Sequence, residues 1–202
     1  MNKEKINLIN DDYSPVFEII ERLYKEKKEL LIAIDGICGG GKSTLGKIIA
    51  ERFKGNLFHM DDFFLPFEMR TPERLGAAGG NVHYERFYEE VIVPIKNKQA
   101  VCCKKFLCPK GDFDQPTIVE PKSFNIVEGS YSLHPTLREY YDYKIFIDVA
   151  SNVQHDRILK RNGELKLQDF LNKWIPMEEH YFKELNIKSY CDLIVNTTRI
   201  NQ

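Results

Sequence analysis

The chain of 202 residues predicts an α/β fold in which helices cover both faces of a mainly parallel sheet, and three observations carry that expectation. Apolar runs of strand length alternate with segments of helical periodicity. The runs at 124–127 and 143–149 are apolar enough to be central strands of a parallel sheet. A third run, LLIAID at 30–35, passes through a glycine-rich turn directly into a helix.

In chain order, 14–28 (SPVFEIIERLYKEKK) has apolar residues at helical spacing, with Ser14 and Pro15 as a start signal. The strand at 30–35 leads to a helix at 42–53, and NLFHM at 56–60 is a short strand ending in Asp61-Asp62. Residues 63–81 carry Pro66, Pro72, Gly76, Gly79 and Gly80 and read as a long irregular loop, a length that usually signals function. A helix follows at 83–97, its last turn limited by Pro94. A β-ribbon is expected from 100–107 and 117–120, joined through Pro109-Lys110-Gly111-Asp112. Helices at 152–162 and 167–184 and a closing strand at 192–196 complete the pattern. Without repeats or a linker, residues 1–202 read as one domain, with a ribbon excursion at about 100–120 and a helical lid at about 152–172.

Within the glycine-rich turn, Gly36, four residues, Gly41, Lys42 and Ser43 satisfy the P-loop pattern in its strand–loop–helix context. Glycines let successive amides point inward and cradle phosphate oxygens, and the helix beginning near Lys42 adds its positive dipole end. Lys42 supplies a mobile charge for the β- and γ-phosphates, and the Ser43 hydroxyl can ligate Mg²⁺. Gly36, Ile37, Cys38, Gly39, Gly40, Gly41, Lys42, Ser43 and Thr44 are therefore the expected nucleoside triphosphate site, and the fold a P-loop NTPase-type sheet. Cys38, inside the loop, is a candidate for oxidation sensitivity.

A formal net charge of −1 speaks against a nucleic-acid partner. No apolar run reaches membrane-spanning length, and the opening MNKEKINLINDDY is too polar for a signal peptide, so a cytoplasmic location is expected. Five cysteines, an odd number without a CxxC pair, read as reduced thiols. Cys102 and Cys103 are adjacent in a strand and point to opposite faces, so a metal cluster with Cys108 is not expected.

Acids at strand tips come next. Asp61 and Glu128 end their strands beside the P-loop, where a carboxylate can hold Mg²⁺ or take the proton of a substrate hydroxyl. Gly129 leaves space for phosphates next to Glu128, whereas Asp61 opens the long loop and can meet a second substrate. Asp148, in KIFIDV, reads as structural.

The segments IDGICGGGKST, HMDDFF, GGNVHYERFYEEVIVPI, IVEGSYSLHP, KIFIDV with QHDRILKR, and WIPMEEHYF with CDLIV resemble the uridine kinase family across residues 30–195. That family belongs to a P-loop kinase group that includes phosphoribulokinase and bacterial pantothenate kinase. The resemblance implies a kinase that uses ATP and Mg²⁺ to phosphorylate a hydroxyl on a small metabolite, a nucleoside or ribosyl compound. It implies Asp61 as the acid facing that hydroxyl, Ser43 and Glu128 with Asp61 beside Mg²⁺, and Phe64 against the nucleoside. Arg157 and Arg161 would clamp phosphates from the lid, and their i, i+4 spacing puts both on one helical face. A nucleotide-binding regulatory protein with lost or altered kinase activity is the alternative; a GTPase is disfavoured because Asn172-Lys173 is followed by Trp174-Ile175. Self-association is left open.

The sequence also departs from the family. Where relatives carry an Asp that grips ribose hydroxyls, this chain has His83; the lid reads RILKRNGELKL, and the ribbon lacks the usual contacts to a base. His83 is expected to face the acceptor and to become cationic at mildly acidic pH, which would favour an anionic acceptor.

Overall fold

The computed structural model describes residues 4–10 and 12–200; residues 1–3, 11 and 201–202 of the expected 1–202 domain lie outside the described residues. Strand β1 (Glu4–Ile9) precedes helix α1 (Ser14–Lys27), which ends on a left-handed Lys28. Strand β2 (Leu30–Gly36) feeds the P-loop and α2 (Lys42–Phe53), followed by β3 (Asn56–His59) and a 3₁₀ turn at Met60–Phe63. The irregular stretch contains a 3₁₀ turn at Phe67–Met69 and the short α3 (Pro72–Gly76).

The helix expected at 83–97 is present as α4 (Tyr84–Phe87), a π turn at Tyr88–Ile92 and α5 (Val93–Lys96). The expected ribbon is two short ladders, β4 (Val101–Cys103) with β7 (Thr117–Val119) and β5 (Phe106–Leu107) with β6 (Asp112–Phe113). Next come β8 (Phe124–Glu128), α6 (Pro135–Arg138), β9 (Tyr143–Asp148) and α7 (Ser151–Asn162). Gly163 breaks the chain into α8 (Glu164–Asp169), which runs through a π turn at Phe170–Trp174 into α9 (Ile175–Glu184). α10 (Ile187–Tyr190) and β10 (Leu193–Arg199) close the fold.

Both π turns share one cause. Each precedes a proline in the next helical segment, Pro94 and Pro176. A proline inside an α-helix has no N–H and its ring strikes the carbonyl four residues back. Widening the turn by one residue relieves the conflict, and the Val93 and Ile175 amides accordingly reach back five residues to the Tyr88 and Phe170 carbonyls.

The main sheet is six-stranded and parallel, in the order β1-β10-β9-β2-β8-β3. All seven residues of β2 are buried, as a central strand covered on both faces requires. Alternation sorts the side chains. Leu31, Ala33, Val127 and Phe146 pack with Phe87, Val91, Leu137 and Tyr181 on one face. Ile32, Ile34, Ile126, Ile145 and Ile147 meet Ile19, Ile20, Leu45 and Ile49 of α1 and α2 on the other. Strand β1 was not expected from sequence, because at the sheet edge only Leu8 of its six residues is buried and its pattern reads as polar.

The chain leaves β2 for β3 on one side and places β9 on the other, so the P-loop sits where the strand order reverses. At the end of β2, Gly36 adopts φ +132° and a Cβ there would lie 2.2 Å from the Ile147 carbonyl oxygen. Only glycine passes between these strands.

Beside it, fully buried Asp35 ties three elements together. Its Oδ1 accepts from the Gly36 amide at 2.7 Å, and its Oδ2 accepts from the Leu133 amide at 2.9 Å and the Tyr181 hydroxyl at 2.8 Å. Burial pushes the carboxyl up to about 6, with the three donors and Lys42 opposing. Between the unfolded value near 3.8 and about 6, the native state holds a proton that the unfolded chain releases. This group's contribution to stability therefore falls as pH rises through that window. Comparing urea melts of the wild type and Asp35→Asn checks this. The wild type's margin should shrink by on the order of 2 kcal/mol as pH rises from about 4 to about 6.5, and a constant margin would contradict it.

Candidate active site

Carboxyl-terminal strand ends place the P-loop, Asp61 and Glu128 around one cavity of about 1140 Å³. That exceeds the range of a single small-ligand pocket and leaves room for two substrates side by side. Register explains the convergence, because Glu128 pairs with Ile34 of β2 and with His59 of β3, two residues before Asp61.

A loop that turns its amides inward must satisfy its carbonyls from outside, and here five consecutive carbonyls are met by side-chain donors. Lys42 Nζ donates to Gly36 O at 2.7 Å and Ile37 O at 3.1 Å. Gln154 Nε2 donates to Cys38 O at 3.0 Å, Arg157 Nη1 to Gly39 O at 3.5 Å and Thr197 Oγ1 to Gly40 O at 2.8 Å. On the amide side, the N–H groups of Gly39, Gly41, Lys42, Ser43 and Thr44 have no acceptor in the protein among the described residues, and all five residues line the cavity. Orphan amides at a helix start, with the helix dipole behind them, form an anion site. A Cβ on Gly41, at φ +99°, would meet nothing within 4 Å and would stand in open space in front of α2. Gly36 and Ile37 do not line the cavity; they serve the loop through their carbonyls.

Glu178, buried at the start of α9, anchors the loop from behind: its Oε2 accepts from the Cys38 amide at 2.9 Å and its Oε1 from the Ser130 hydroxyl. Burial, and then the Glu178 charge, push the Cys38 thiol up to about 12. A thiol held there is sparsely ionised at neutral pH, which disfavours the reactive thiolate that oxidation would use.

Ser43 Oγ donates to Glu128 Oε2 at 3.1 Å, and Glu128 Oε1 is paired with His59 Nδ1. That hydrogen bond raises the His59 pKa. The hydroxyl and carboxylate expected to attend Mg²⁺ thus lie in contact at the mouth of the anion site, a hard oxygen donor set suited to that ion. Among the described residues, no group of three or more His, Cys, Asp or Glu forms a metal cage of protein ligands alone. Asp61 lines the cavity and is exposed there; the protein packed around its carboxyl raises its pKa, the Glu128, Glu178 and Asp62 charges add to the rise, and Lys42 opposes it. Asp62 is turned away and paired with Lys105. Asp148 accepts from Lys188 Nζ at 3.0 Å, outside the cavity lining.

Phe64 lines the cavity with its ring 6.3 Å from that of Trp174. Arg157 and Arg161 line it too, from one face of α7. Arg157 is pinned, donating to Thr197 Oγ1 at 3.1 Å, Thr197 O at 2.7 Å and Ile200 O at 3.0 Å, so it holds the loop and β10 rather than swinging freely with a lid. Among the described residues, Arg161 hydrogen-bonds only to its neighbour Asn162 at 2.7 Å, and it lies 5.9 Å from the Phe170 ring.

The expectation for His83 is corrected. His83 lies outside the cavity lining and caps α4, its Nδ1 accepting from the Arg86 amide at 3.2 Å. Burial, with Arg86 and Arg74 nearby, pushes its pKa down, so it stays neutral where a cation was expected. With Nδ1 accepting, the Glu85 carboxylate 3.3 Å away is a neighbour rather than an ion-pair partner. Two residues earlier, Asn81 takes the place beside the cavity, because 63–65 and 81–83 run antiparallel. Leu65 N donates to Asn81 O at 3.0 Å and His83 N to Phe63 O at 2.7 Å. Glu178, Gln154, Thr197 and Asn81 were missed from sequence, since none belongs to a spacing pattern and each is defined by what lies across the fold.

Fold and site together define a small-molecule kinase of the P-loop class. Its similarity to curated uridine kinases spans most of the chain. It is 28% identical over 199 residues to that of Ligilactobacillus salivarius, covering 88% of this chain and 90% of that protein. With a uridine kinase of Clostridium botulinum it shares 28% identity over 191 residues, covering 84% and 88%. No protein-family model matches the chain. Among solved structures, the fold is shared with a "possible uridine kinase" from Bacillus stearothermophilus, at TM-score 0.59 and 15% identity over 90% of this chain and 99% of that one. D-glycerate 3-kinase from Cryptococcus neoformans has TM-score 0.61 and 14% identity, over 92% and 96%. No helix among the described residues is long and apolar enough to cross a membrane.

Aspartate is as good a helix cap as a neutral histidine. His83→Asp should therefore leave thermal stability and acceptor KM within about twofold of the wild type in a coupled kinase assay, since surface caps of similar quality differ little. A large change in acceptor preference would return His83 to the acceptor site.

Proposed function

We propose that the protein transfers the γ-phosphoryl group of ATP to a hydroxyl of a small metabolite, a nucleoside or another ribosyl compound, with Mg²⁺ at the Ser43–Glu128 pair. The row of five orphan amides from Gly39 to Thr44 carries this reading, because such a row suits the oxygens of a polyphosphate. The similarity to uridine kinases supports the ribosyl acceptor.

In this reading, Lys42 exchanges the Gly36 and Ile37 carbonyls for phosphate oxygens and stabilises the charge that develops there. Ser43 and Glu128 would hold Mg²⁺, which when bound neutralises phosphate charge. Asp61 accepts a hydrogen bond from the acceptor hydroxyl, aligns it with the phosphorus and takes its proton as the bond forms. Its raised pKa makes it a better proton acceptor than an ordinary surface aspartate. Arg161 and the cavity-lining lysines of α8 and the following π turn, Lys166 and Lys173, cover the transferring group and exclude water.

Asp61→Asn should lower kcat by about 10²–10⁴ while leaving nucleotide affinity nearly unchanged. Lys42→Ala should abolish phosphotransfer with the far-ultraviolet circular dichroism spectrum preserved. Turnover with a panel of ribosyl compounds, alongside calorimetry with a non-hydrolysable ATP analogue, measures both. Full activity in either folded variant would remove that residue from the mechanism, and nucleotide binding without any phosphotransfer by the wild type would favour a regulatory binder.

A further inference from the structure

The acceptor end of the cavity holds two side chains that the reaction as described does not use. Asn81 is only 5% exposed, yet neither its Oδ1 nor its Nδ2 has a hydrogen-bond partner. The Tyr131 hydroxyl lies beside it, near enough for the amide to offset part of the rise that burial imposes on that hydroxyl, but not in bonding geometry. A buried carboxamide without partners is costly, and such groups persist where a ligand completes them. Both amide atoms are closed to solvent, so a rotation of the side chain into the cavity that the residue lines brings its two donors and its acceptor to a sugar or polyol hydroxyl.

Arg70 lines the same cavity. Its Nε donates to Leu65 O at 2.7 Å, one Nη2 hydrogen to Cys108 Sγ at 3.7 Å, and its guanidinium lies 4.4 Å from the Phe67 ring. Among the described residues it forms no ion pair with a carboxylate. The Nε bond and the Phe67 ring hold the guanidinium plane, which leaves its Nη1 hydrogens and one Nη2 hydrogen for a ligand. A fixed, uncompensated guanidinium beside Phe64 and Asn81 suits an anionic oxygen group.

We propose that Arg70 and Asn81 select the phosphoryl acceptor: Arg70 binds an anionic group carried by the acceptor, a carboxylate or a phosphate ester, and Asn81 binds a hydroxyl other than the one phosphorylated. This rests on the kinase reading above and narrows its acceptor from ribosyl compounds in general to anionic ones. The preference for an anion thus comes from Arg70, through a permanent charge, and not from titration of His83.

Calorimetry on the whole protein, with Mg²⁺ and a non-hydrolysable ATP analogue present, tests it with matched pairs. Orotidine against uridine reads the carboxylate, and ribose 5-phosphate against ribose reads the phosphate ester. The wild type should bind the anionic member of one pair about 10–100-fold more tightly, the range of a charged hydrogen bond, and Arg70→Gln should abolish that preference. Asn81→Ala should weaken both members of that pair about equally, by roughly tenfold. Because its amide is unsatisfied in the free protein, Asn81→Ala should not lower the melting temperature; a loss of both stability and binding would mark Asn81 as structural and overturn its part. Equal affinity within both pairs, a preference that survives Arg70→Gln, or no binding of either anionic compound overturns the proposal. Phosphotransfer from ATP to the same compounds is read separately. Anion-selective binding without transfer would uphold the acceptor site while refuting the kinase reading, and transfer to neutral members at equal efficiency would do the reverse.

Discussion

The structure depends on holding a loop open against its own tendency to collapse. Peptide groups that aim N–H into a cavity aim C=O outward, and an unmet buried carbonyl costs about 1–3 kcal/mol. The P-loop resolves this with donors drawn from across the fold: Lys42 from its own helix, Gln154 and Arg157 from α7, and Thr197 from β10. Glu178 adds a buried carboxylate on the Cys38 amide. Elements 110–160 residues away thus fix the loop's shape before any ligand arrives, and such preorganisation is the main resource in phosphoryl transfer.

The same constraint links the helices that border the cavity to the strand beneath the loop. Asp35 and Glu178 both tie the loop region to α9, Asp35 through Tyr181 and Glu178 as a residue of that helix. α9 continues without a break from the π turn that carries Lys173 and Trp174 into the cavity. The wide turn ahead of Pro176 therefore belongs to the geometry of the site as well as to helix chemistry. Arg157, read from sequence as a partner of Arg161 in clamping phosphate, is divided from it by anchoring: one is fixed to β10 and the other is free to follow a ligand.

Acceptor recognition shows how local a departure from a family pattern can be. His83, in place of an acid, invites a functional reading, but its ring is used as the cap of α4. The antiparallel pairing of 63–65 with 81–83 sets Asn81 opposite Leu65, and both Asn81 and Phe64 reach the cavity wall. In the reading proposed above, the acceptor-facing side chain therefore lies two residues before the one that sequence position suggested.

The sequence by itself determined the parallel α/β sheet, the P-loop, and the acids Asp61 and Glu128 at neighbouring strand ends, because these follow from periodicity and spacing within short segments. It also determined the helix expected at 83–97, which spans 84–96, although the π turn within it had to be seen. Tertiary structure alone decided the edge strand β1, whose single buried leucine leaves no pattern, and the outer donors of the P-loop, which are defined by contacts across the chain. It decided as well that the Cys38 thiol is buried beside Glu178 and that His83 is a cap, since packing and partners set their surroundings. Local pattern fixes which backbone forms; only packing fixes which side chains are left without a partner, and those are the ones available to a substrate.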